Sequence, residues 1–378
     1  MLYYKMLEGT THTVELTENV GDIEPEDTGY PEIPFDPDKI RLDHQNTNLG
    51  YLIEKLQNGE IDLTPELKKS VDLWSLKQKS QLIESLLLGL PLPFFYFSAD
   101  RISNKWVVVD GLQMLWTLND FIINNELELS GLEFLMKYNG KSYEELSNAD
   151  KRRISGTKIY FNLIERPSPS YVKFLIFKRV NTELNAQEIR HTLNHGIPSG
   201  FIEELAEVEE FKQATDYQIN PGRMEDREFA NRFIAFYILG YDANYKGELD
   251  NFLNDGLEAL AKTTEDERVK IKEAFRKSMV LSYKIFGSDA FRKRQNIYDK
   301  RAPISKSVFD TISVNFALLT DEQQMLLLNK KGDLQMRLID LFNDDVFYQS
   351  TTTATGRKSS VQTRFELIKN MLNELLVT

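Results

Sequence analysis

The sequence predicts an α+β protein in which a mixed α/β domain over residues 44–198 precedes a mostly helical domain over residues 199–378. In the first domain, apolar residues at helical spacing alternate with short β-branched and aromatic runs, which is typical of mixed structure. In the second domain strand signals are scarce, and helix start signals recur, as at Thr264 to Glu267 and Thr320 to Gln323. Residues 1–43 stand apart as an acidic extended leader.

The elements of the first domain follow from local patterns. The first elements are a helix through Leu49, Leu52, Ile53 and Leu56 that stops at Gly59, and a short strand at Ile61 to Leu63. A helix from Leu76 to Leu90, closed by Gly89 and Pro91, precedes paired strands at 94–97 and 105–109 and a helix from Leu112 to Ile122. The last elements are a strand at 157–164, a helix over 171–180 capped by Ser170, and a helix opened by a capping box of Asn185 and Glu188.

Charge is unevenly distributed along the 378 residues, whose net charge is −12. Residues 1–43 hold eleven acidic and three basic side chains, so the rest of the chain is close to neutral. The acidic total therefore does not exclude a nucleic-acid partner. Four prolines and no hydrophobic period predict that residues 18–38 form an extended segment, either solvated or used as an interaction tail.

Several classes of protein are excluded by what the sequence lacks. It contains no cysteine, which rules out disulfides, a thiol nucleophile and cysteine-based zinc sites. No apolar run approaches the roughly 18 residues of a membrane-spanning helix, and the first residues do not form a signal-peptide pattern. We expect a cytoplasmic protein with no membrane partner.

The strongest site signal is the run from Val107 to Gln113, in which a buried strand ends in Asp110 and Gly111 and a helix begins at once. This arrangement aims a carboxylate and the first helical N–H groups at one spot, where the helix dipole favours an anion such as phosphate. Asp110 is suited to holding a metal-bound phosphate or orienting a water, and Gly111 lets a ligand approach the backbone. The alternative is that Asp110 only caps the helix and Gly111 only turns the chain.

Further segments occur in an order that a known family shares. They are Ile61 to Pro65, Trp74, Leu82-Ile83-Glu84-Ser85, Pro91-Leu92-Pro93, Asp110-Gly111-Leu112-Gln113, Arg179-Val180-Asn181-Thr182, Leu184-Asn185-Ala186-Gln187-Glu188-Ile189-Arg190, Arg223-Met224-Glu225-Asp226 and Arg232-Phe233. Together they resemble the ParB-like family of unknown function that forms the N-terminal, GmrS-like half of GmrSD-type restriction enzymes. The resemblance implies a ParB/sulfiredoxin-like α/β domain followed by a helical domain.

Three departures from the family pattern fall on its presumed active groups. Leu67-Lys68-Lys69 stands where the family has Phe-Gln-Arg, and Met114 stands where an arginine follows Gln113. Only Glu183 remains where the family has a glycine pair. Arginine offers phosphate a permanently charged planar fork, whereas methionine offers neither charge nor donor. The departures predict weakened or lost catalysis.

The resemblance implies a nucleotide-binding sensor or NTPase component of bacterial anti-phage restriction defence, with a nucleoside triphosphate and Mg²⁺ as its ligands. The implied catalytic residues are Asp110 and Gln113. The implied nucleotide-binding residues are Gly111, Lys69, Arg179, Asn181, Thr182, Glu188 and Arg190. The alternative is a non-catalytic binding or regulatory module that engages DNA, a protein partner or a second copy of the chain.

Two other patterns carry weaker hypotheses. His191 and His195 have the spacing to bind one metal, but polar helix residues are favoured, so we expect no metal site. A basic stretch interleaved with aromatic residues indicates either a nucleic-acid contact or a solvated charged surface. It comprises Phe291, Arg292-Lys293-Arg294, Tyr298, Lys300-Arg301 and Lys306. No histidine follows His195, so the histidine-rich nuclease motif of the GmrSD C-terminal half is absent.

Overall fold

The computed structural model describes residues 23–27, 37–63, 74–99, 105–165, 168, 170–180, 185–194 and 196–377. Its one sheet comprises β1 (Leu42–Asn48), β2 (Ile61–Asp62), β3 (Phe95–Ala99), β4 (Trp106–Asp110) and β5 (Lys158–Ile164). The strands stand in the order β1-β5-β3-β4-β2. β5 pairs antiparallel with β1 and parallel with β3, whereas β4 pairs antiparallel with β3 and parallel with β2.

Helices account for most of the remaining described residues. Those that accompany the sheet are α1 (Leu49–Gln57), α2 (Leu76–Leu88), α3 (Leu112–Leu118), α4 (Asn148–Gly156), α5 (Ser170–Val180) and α6 (Ala186–Leu193). Those that follow are α7 (Ile197–Ala206), α8 (Glu209–Ala214), α9 (Glu225–Leu239), α10 (Leu249–Leu260), α11 (Glu265–Phe286), α12 (Lys306–Ala317), α13 (Asp321–Asn329), α14 (Lys331–Phe342), α15 (Asp345–Thr352) and α16 (Lys358–Val377).

The predicted fold class is confirmed, because a mixed sheet with its helices precedes a region built almost entirely of helices. The ParB/sulfiredoxin-like detail stays a prediction, as does the division at residue 198, which falls in the first turn of α7. Within the described residues, every helix is too short or too polar to span a membrane.

Side-chain alternation along the strands divides the first half into two cores. Phe95, Phe97, Val108 and Phe161 point to one face, where they pack in a cluster that includes residues of α1, α2 and α3. Val109 and its neighbours point to the other face and pack in a cluster with residues of α5 and α6. The sheet is therefore covered on both faces at the end where β4 stops.

Helix ends follow the predicted capping chemistry. Asn185 and Glu188 form a capping box, and so do Thr264 with Glu267 and Thr320 with Gln323. Gly89 ends α2 with a left-handed φ of 77°. An aromatic stripe on α9 lies in or against the large core of the helical region: Phe229, Phe233, Phe236 and Tyr237.

Two features among the first fifty residues differ from the sequence interpretation. Strand β1 was not predicted and begins at Leu42, inside the leader, because it is an edge strand with a largely exposed, polar sequence and no apolar alternation. The second difference is that part of the leader is packed against the protein and is not solvated. Residues 23–27 pack against the helical region, with Glu24 N–H donating to the Ile304 carbonyl at 2.7 Å.

Candidate functional site

The turn between β4 and α3 has the predicted order of strand, carboxylate, glycine and helix. Asp110 is the half-buried last residue of β4, and α3 begins at Leu112. The N-cap position belongs to Gly111, with φ 96° and ψ 11°, and Asp110 is the residue before it. Gln113 lies half-buried in the first turn of α3.

Close packing explains why residue 111 is glycine. A Cβ atom at this position would lie 2.5 Å from Cδ1 of the fully buried Phe95 ring. The positive φ adds a second restriction, because side chains rarely adopt this backbone conformation. Gly111 thus turns the chain and admits the Phe95 ring to one side of the turn.

The strand that carries Asp110 is irregular at its end. Tyr96 of β3 faces Asp110 and Phe97 faces Val108, so Val109 is an extra residue on β4. Such a bulge bends a strand and redirects the side chains that follow it, and bulges are frequent beside functional sites. Here the bulge stands directly before the carboxylate that the sequence singles out.

The Met114 side chain lies beneath this turn. It is buried in the core cluster of Phe95, and its terminal methyl would lie 3.3 Å from a Cβ placed on Gly111. A long side chain at position 114 therefore reaches the turn from the side that faces the core. Methionine brings an apolar methyl group there and no charge.

Helix α6 lies against the sheet face beneath the end of β4, because Val109 and Ile189 share one buried cluster. Beside Ile189, Glu188 closes the capping box and also receives a bidentate ion pair from Arg223, with Nε–Oε1 at 2.8 Å and Nη2–Oε2 at 2.9 Å. Arg223 and Met224 both have positive φ, of 70° and 58°. Consecutive left-handed residues other than glycine are costly and often occur at functional sites.

Arg190, the residue after Ile189, is buried and points to the helical region. Its guanidinium lies 5.1 Å from the centroid of the Phe174 ring and forms an ion pair with Asp250 of α10. Lys178 binds the second oxygen of Asp250 at 2.7 Å. Burial opposes ionisation of Asp250, but Arg190 and Lys178 outweigh it and hold its pKa below the usual range.

A tyrosine completes this polar cluster between α5 and the helical region. The Tyr171 hydroxyl donates a hydrogen bond of 3.4 Å to the Glu248 carboxylate. Burial, together with the negative charges of Asp250 and Glu248, raises the pKa of Tyr171 far above its usual value. The hydroxyl therefore stays protonated and remains a hydrogen-bond donor.

A family model described as the N-terminal domain of the GmrSD restriction endonuclease matches residues 49–368. The chain belongs to this family. The match covers most of the sheet, the turn after β4, α6 and most of the helical region, and it confirms the resemblance carried by the ordered motifs. The protein is thus a restriction-related module. No curated protein and no solved structure matches the chain significantly.

In this member of the GmrSD N-terminal family, the predicted site residues fall into three groups. Asp110, Gly111 and Gln113 stand together at the turn. Glu188 and Arg190 lie on α6, where their ion-pair partners are residues of the helical region. Arg179 is exposed near the end of α5, and the remaining predicted residues lie outside the described part of the chain: Lys69, Asn181 and Thr182. The roles assigned to all of them stay predictions.

The sequence interpretation gave no role to Arg223 and Asp250, the two partners that fix α6. Arg223 stands in the Arg-Met-Glu-Asp segment that carries the family resemblance, so that motif was a usable signal. Asp250 stands in no motif. A buried arginine on a predicted helix requires a carboxylate partner, but the sequence does not say which one.

Burial and pairing describe the surroundings of the weaker candidates. His191 is half-buried, His195 lies outside the described residues, and the described part of the chain holds no group of three or more histidine, aspartate or glutamate side chains placed for a metal. In the basic stretch, Arg292 is buried, and Lys293 and Lys306 pair with carboxylates at 2.7 and 2.9 Å. These three residues are structural, which corrects both alternatives stated for them.

Proposed function

We propose that the protein is a nucleotide-binding module of a restriction system, with the nucleotide at the β4–α3 turn and with hydrolysis weakened or lost. Asp110 would hold the metal-bound phosphate or orient a water, and Gln113 would donate a hydrogen bond to it. Lys69, Arg179 and Asn181 would contact phosphates, and Thr182 would also bind the nucleotide. Gly111 would let the nucleotide approach the backbone at the turn, and Glu188 and Arg190 on α6 would buttress the site.

The single observation that carries this proposal is the geometry of the turn itself. Asp110 follows a bulge, Gly111 has a backbone conformation that only glycine adopts easily, and α3 begins at once. The start of a helix is a suitable place for a phosphate oxygen, because its first N–H groups point out of the helix end and the helix dipole favours an anion there. The half-buried carboxylate beside it suits a Mg²⁺-bound phosphate, because Mg²⁺ prefers oxygen ligands.

The proposed loss of hydrolysis rests on Met114. Its methyl group lies close to Gly111. An arginine in the same position would therefore bring its guanidinium to the side of the turn that faces the core. Positive charge beside a transferring phosphoryl group stabilises its transition state, and an arginine supplied there can be worth about 10³-fold or more in rate. Methionine supplies none of this stabilisation.

A second candidate is a non-catalytic module that engages DNA or a protein partner. The observation that favours it is the state of two arginines at α6, the helix that packs against the end of β4. Arg190 and Arg223 are already paired with Asp250 and Glu188, so their charges are largely neutralised. Binding phosphate through them would require these carboxylates to give up their partners.

Calorimetric titration separates the two candidates. The full chain is titrated with non-hydrolysable GTP and ATP analogues in Mg²⁺, and Asp110→Asn is compared with it. We expect saturable binding that weakens at least about tenfold in the variant, since a charge-assisted contact is worth roughly 1.5–3 kcal/mol. No heat at millimolar ligand, with an intact circular dichroism spectrum, would eliminate nucleotide binding and leave the second candidate.

Phosphate release tests the role of Met114. We expect Met114→Arg to release phosphate from GTP or ATP at least about tenfold faster than the unmodified chain. Met136→Arg is the matched control, because it adds the same charge at an exposed methionine (67% exposed) away from the turn. Equal rates in all three folded proteins would refute the view that position 114 controls hydrolysis.

A further inference from the structure

The helical region contains a buried cluster of charges whose partners come from distant parts of the chain. Arg232 of α9, Asp310 of α12 and Arg364 of α16 are all fully buried. Arg232 holds both oxygens of Asp310, with Nε–Oδ1 at 2.8 Å and Nη2–Oδ2 at 2.7 Å. Arg364 approaches the same carboxylate at 3.4 Å. One carboxylate thus lies between two buried guanidinium groups.

A second carboxylate enters this cluster from the leader. Glu26 receives Nη1 of Arg232 at 2.8 Å and Nη2 at 2.9 Å, and the Thr355 hydroxyl donates to it at 3.0 Å. Its side chain is only 13% exposed. We call the surface formed by Arg232, Lys306, Thr355 and Arg364 the carboxylate slot.

Backbone contacts hold the peptide on either side of Glu26. Glu24 N–H donates to the Ile304 carbonyl, and Thr355 N–H donates to the Asp27 carbonyl, both at 2.7 Å. The Glu24 side chain also pairs with Lys293 at 2.7 Å. The slot therefore recognises an extended backbone as well as a carboxylate, which is how many peptide-binding grooves select their ligands.

Charge balance shows that the slot needs an anion. Without Glu26, the cluster has three cations and only two carboxylates, the second being Glu228, which pairs with Lys306 at 2.9 Å. An uncompensated buried cation is strongly unfavourable. Burial opposes ionisation of Glu26, but Arg232, Lys306 and Arg364 outweigh it and lower the pKa of Glu26, so the occupant is an anion.

The slot lies inside the part of the chain that matches the family, and its occupant lies outside that part. The four residues of the slot lie within residues 49–368, the part of the chain that matches the GmrSD N-terminal family, whereas Glu26 lies before it. On these grounds we propose that the helical region carries a binding site for an extended acidic peptide with a central glutamate. In this chain the segment of residues 23–27 occupies the site intramolecularly. The proposal is independent of nucleotide binding at the β4–α3 turn.

The test uses a labelled synthetic peptide of residues 20–30 and the full chain, with fluorescence anisotropy as the readout. The chain carrying Glu26→Ala should bind this peptide at least tenfold more tightly than the unmodified chain, because its slot no longer holds the competing carboxylate. The peptide carrying Glu26→Gln should lose that binding, whereas the peptide carrying Glu24→Gln, the matched control, should keep most of it. Equal binding by both chains would overturn the proposal.

Hydrogen exchange provides a second measurement that does not depend on the peptide. The Glu24 and Thr355 amides should be protected in the unmodified chain and exchange at least tenfold faster in Glu26→Ala, with a smaller increase in Thr355→Val. Unchanged protection in both variants would refute the slot. Protection that disappears on dilution together with a dimeric mass would show that a second copy supplies the segment, which would overturn its intramolecular origin.

Discussion

Replacing Gly111 with alanine should destabilise the α/β half of the protein by about 2–5 kcal/mol. The backbone contributes about 1–2 kcal/mol, because an L-residue is strained in a left-handed conformation such as the one at φ 96°. Steric overlap adds about 1–3 kcal/mol, the usual cost of an extra group in a packed core. The new Cβ would lie 2.5 Å and 3.0 Å from two carbons of the buried Phe95 ring, so the ring or the turn must move.

Urea unfolding followed by tryptophan fluorescence measures this effect. All three tryptophans, at positions 74, 106 and 116, lie in the first half of the chain, so their emission reports on the part that contains the turn. The destabilisation should appear as a lower midpoint with an unchanged slope.

Gly140→Ala is the matched control, because Gly140 has φ 79° and a Cβ added there would meet no atom within 4 Å. It should cost only the backbone contribution of about 1–2 kcal/mol. If the Gly111→Ala variant lost no more stability than this control, the close contact with Phe95 would not be what restricts the turn, and the reasoning would fail.

Two further predictions concern buried carboxylates. Asp250→Asn leaves the buried guanidinium of Arg190 without its anion and should cost about 3 kcal/mol, the lower end for such pairs because Asp250 is 26% exposed. Since the folded pKa of Asp250 lies below its ordinary 3.8, this stability is complete at neutral pH and is lost as pH falls through the folded pKa. The two oxygens of Glu84 together accept from the three backbone N–H groups of residues 133–135. Glu84→Gln removes the charge and one of these oxygens, so it should cost about 1–3 kcal/mol and speed exchange of those amides.

Exposed carboxylates supply the controls for both predictions. Glu204 pairs with Lys272, but the two side chains are 51% and 40% exposed, so Glu204→Gln should cost at most about 1 kcal/mol. Glu128→Gln changes an exposed residue in the loop region that Glu84 holds. Acid sensitivity of unfolding that was the same in Asp250→Asn as in the unmodified chain would contradict the assigned pKa, and unchanged exchange at residues 133–135 would contradict the role of Glu84.

Local chemistry made much of the fold predictable. The capping box at Asn185, the left-handed Gly89 and the β3–β4 pair each depend on residues a few positions apart, and each is present as predicted. Strand β1 depends on β5, more than a hundred residues later, and its own sequence from Leu42 to Asn48 is polar. An edge strand that pairs on one side needs little apolar alternation, so periodicity could not reveal it.

The same limit applies to the candidate site. The turn at Asp110 and Gly111 is encoded in a few consecutive residues, and the sequence located it correctly as a strand-to-helix turn. The ion pairs around α6 span larger separations, 35 residues for Glu188 with Arg223 and 60 for Arg190 with Asp250. Nothing local distinguishes these carboxylates from the many exposed ones.

Helix α6 connects the turn to the helical region through three consecutive residues. Ile189 packs in the same cluster as Val109, the residue before Asp110, while Glu188 and Arg190 are held by Arg223 and by α10. A change in the helical region that weakens either ion pair therefore acts on the helix that supports the end of β4. For the same reason, Glu188 and Arg190 are better suited to positioning the turn than to binding phosphate themselves, because their charged groups are already engaged on the side of α6 that meets the helical region.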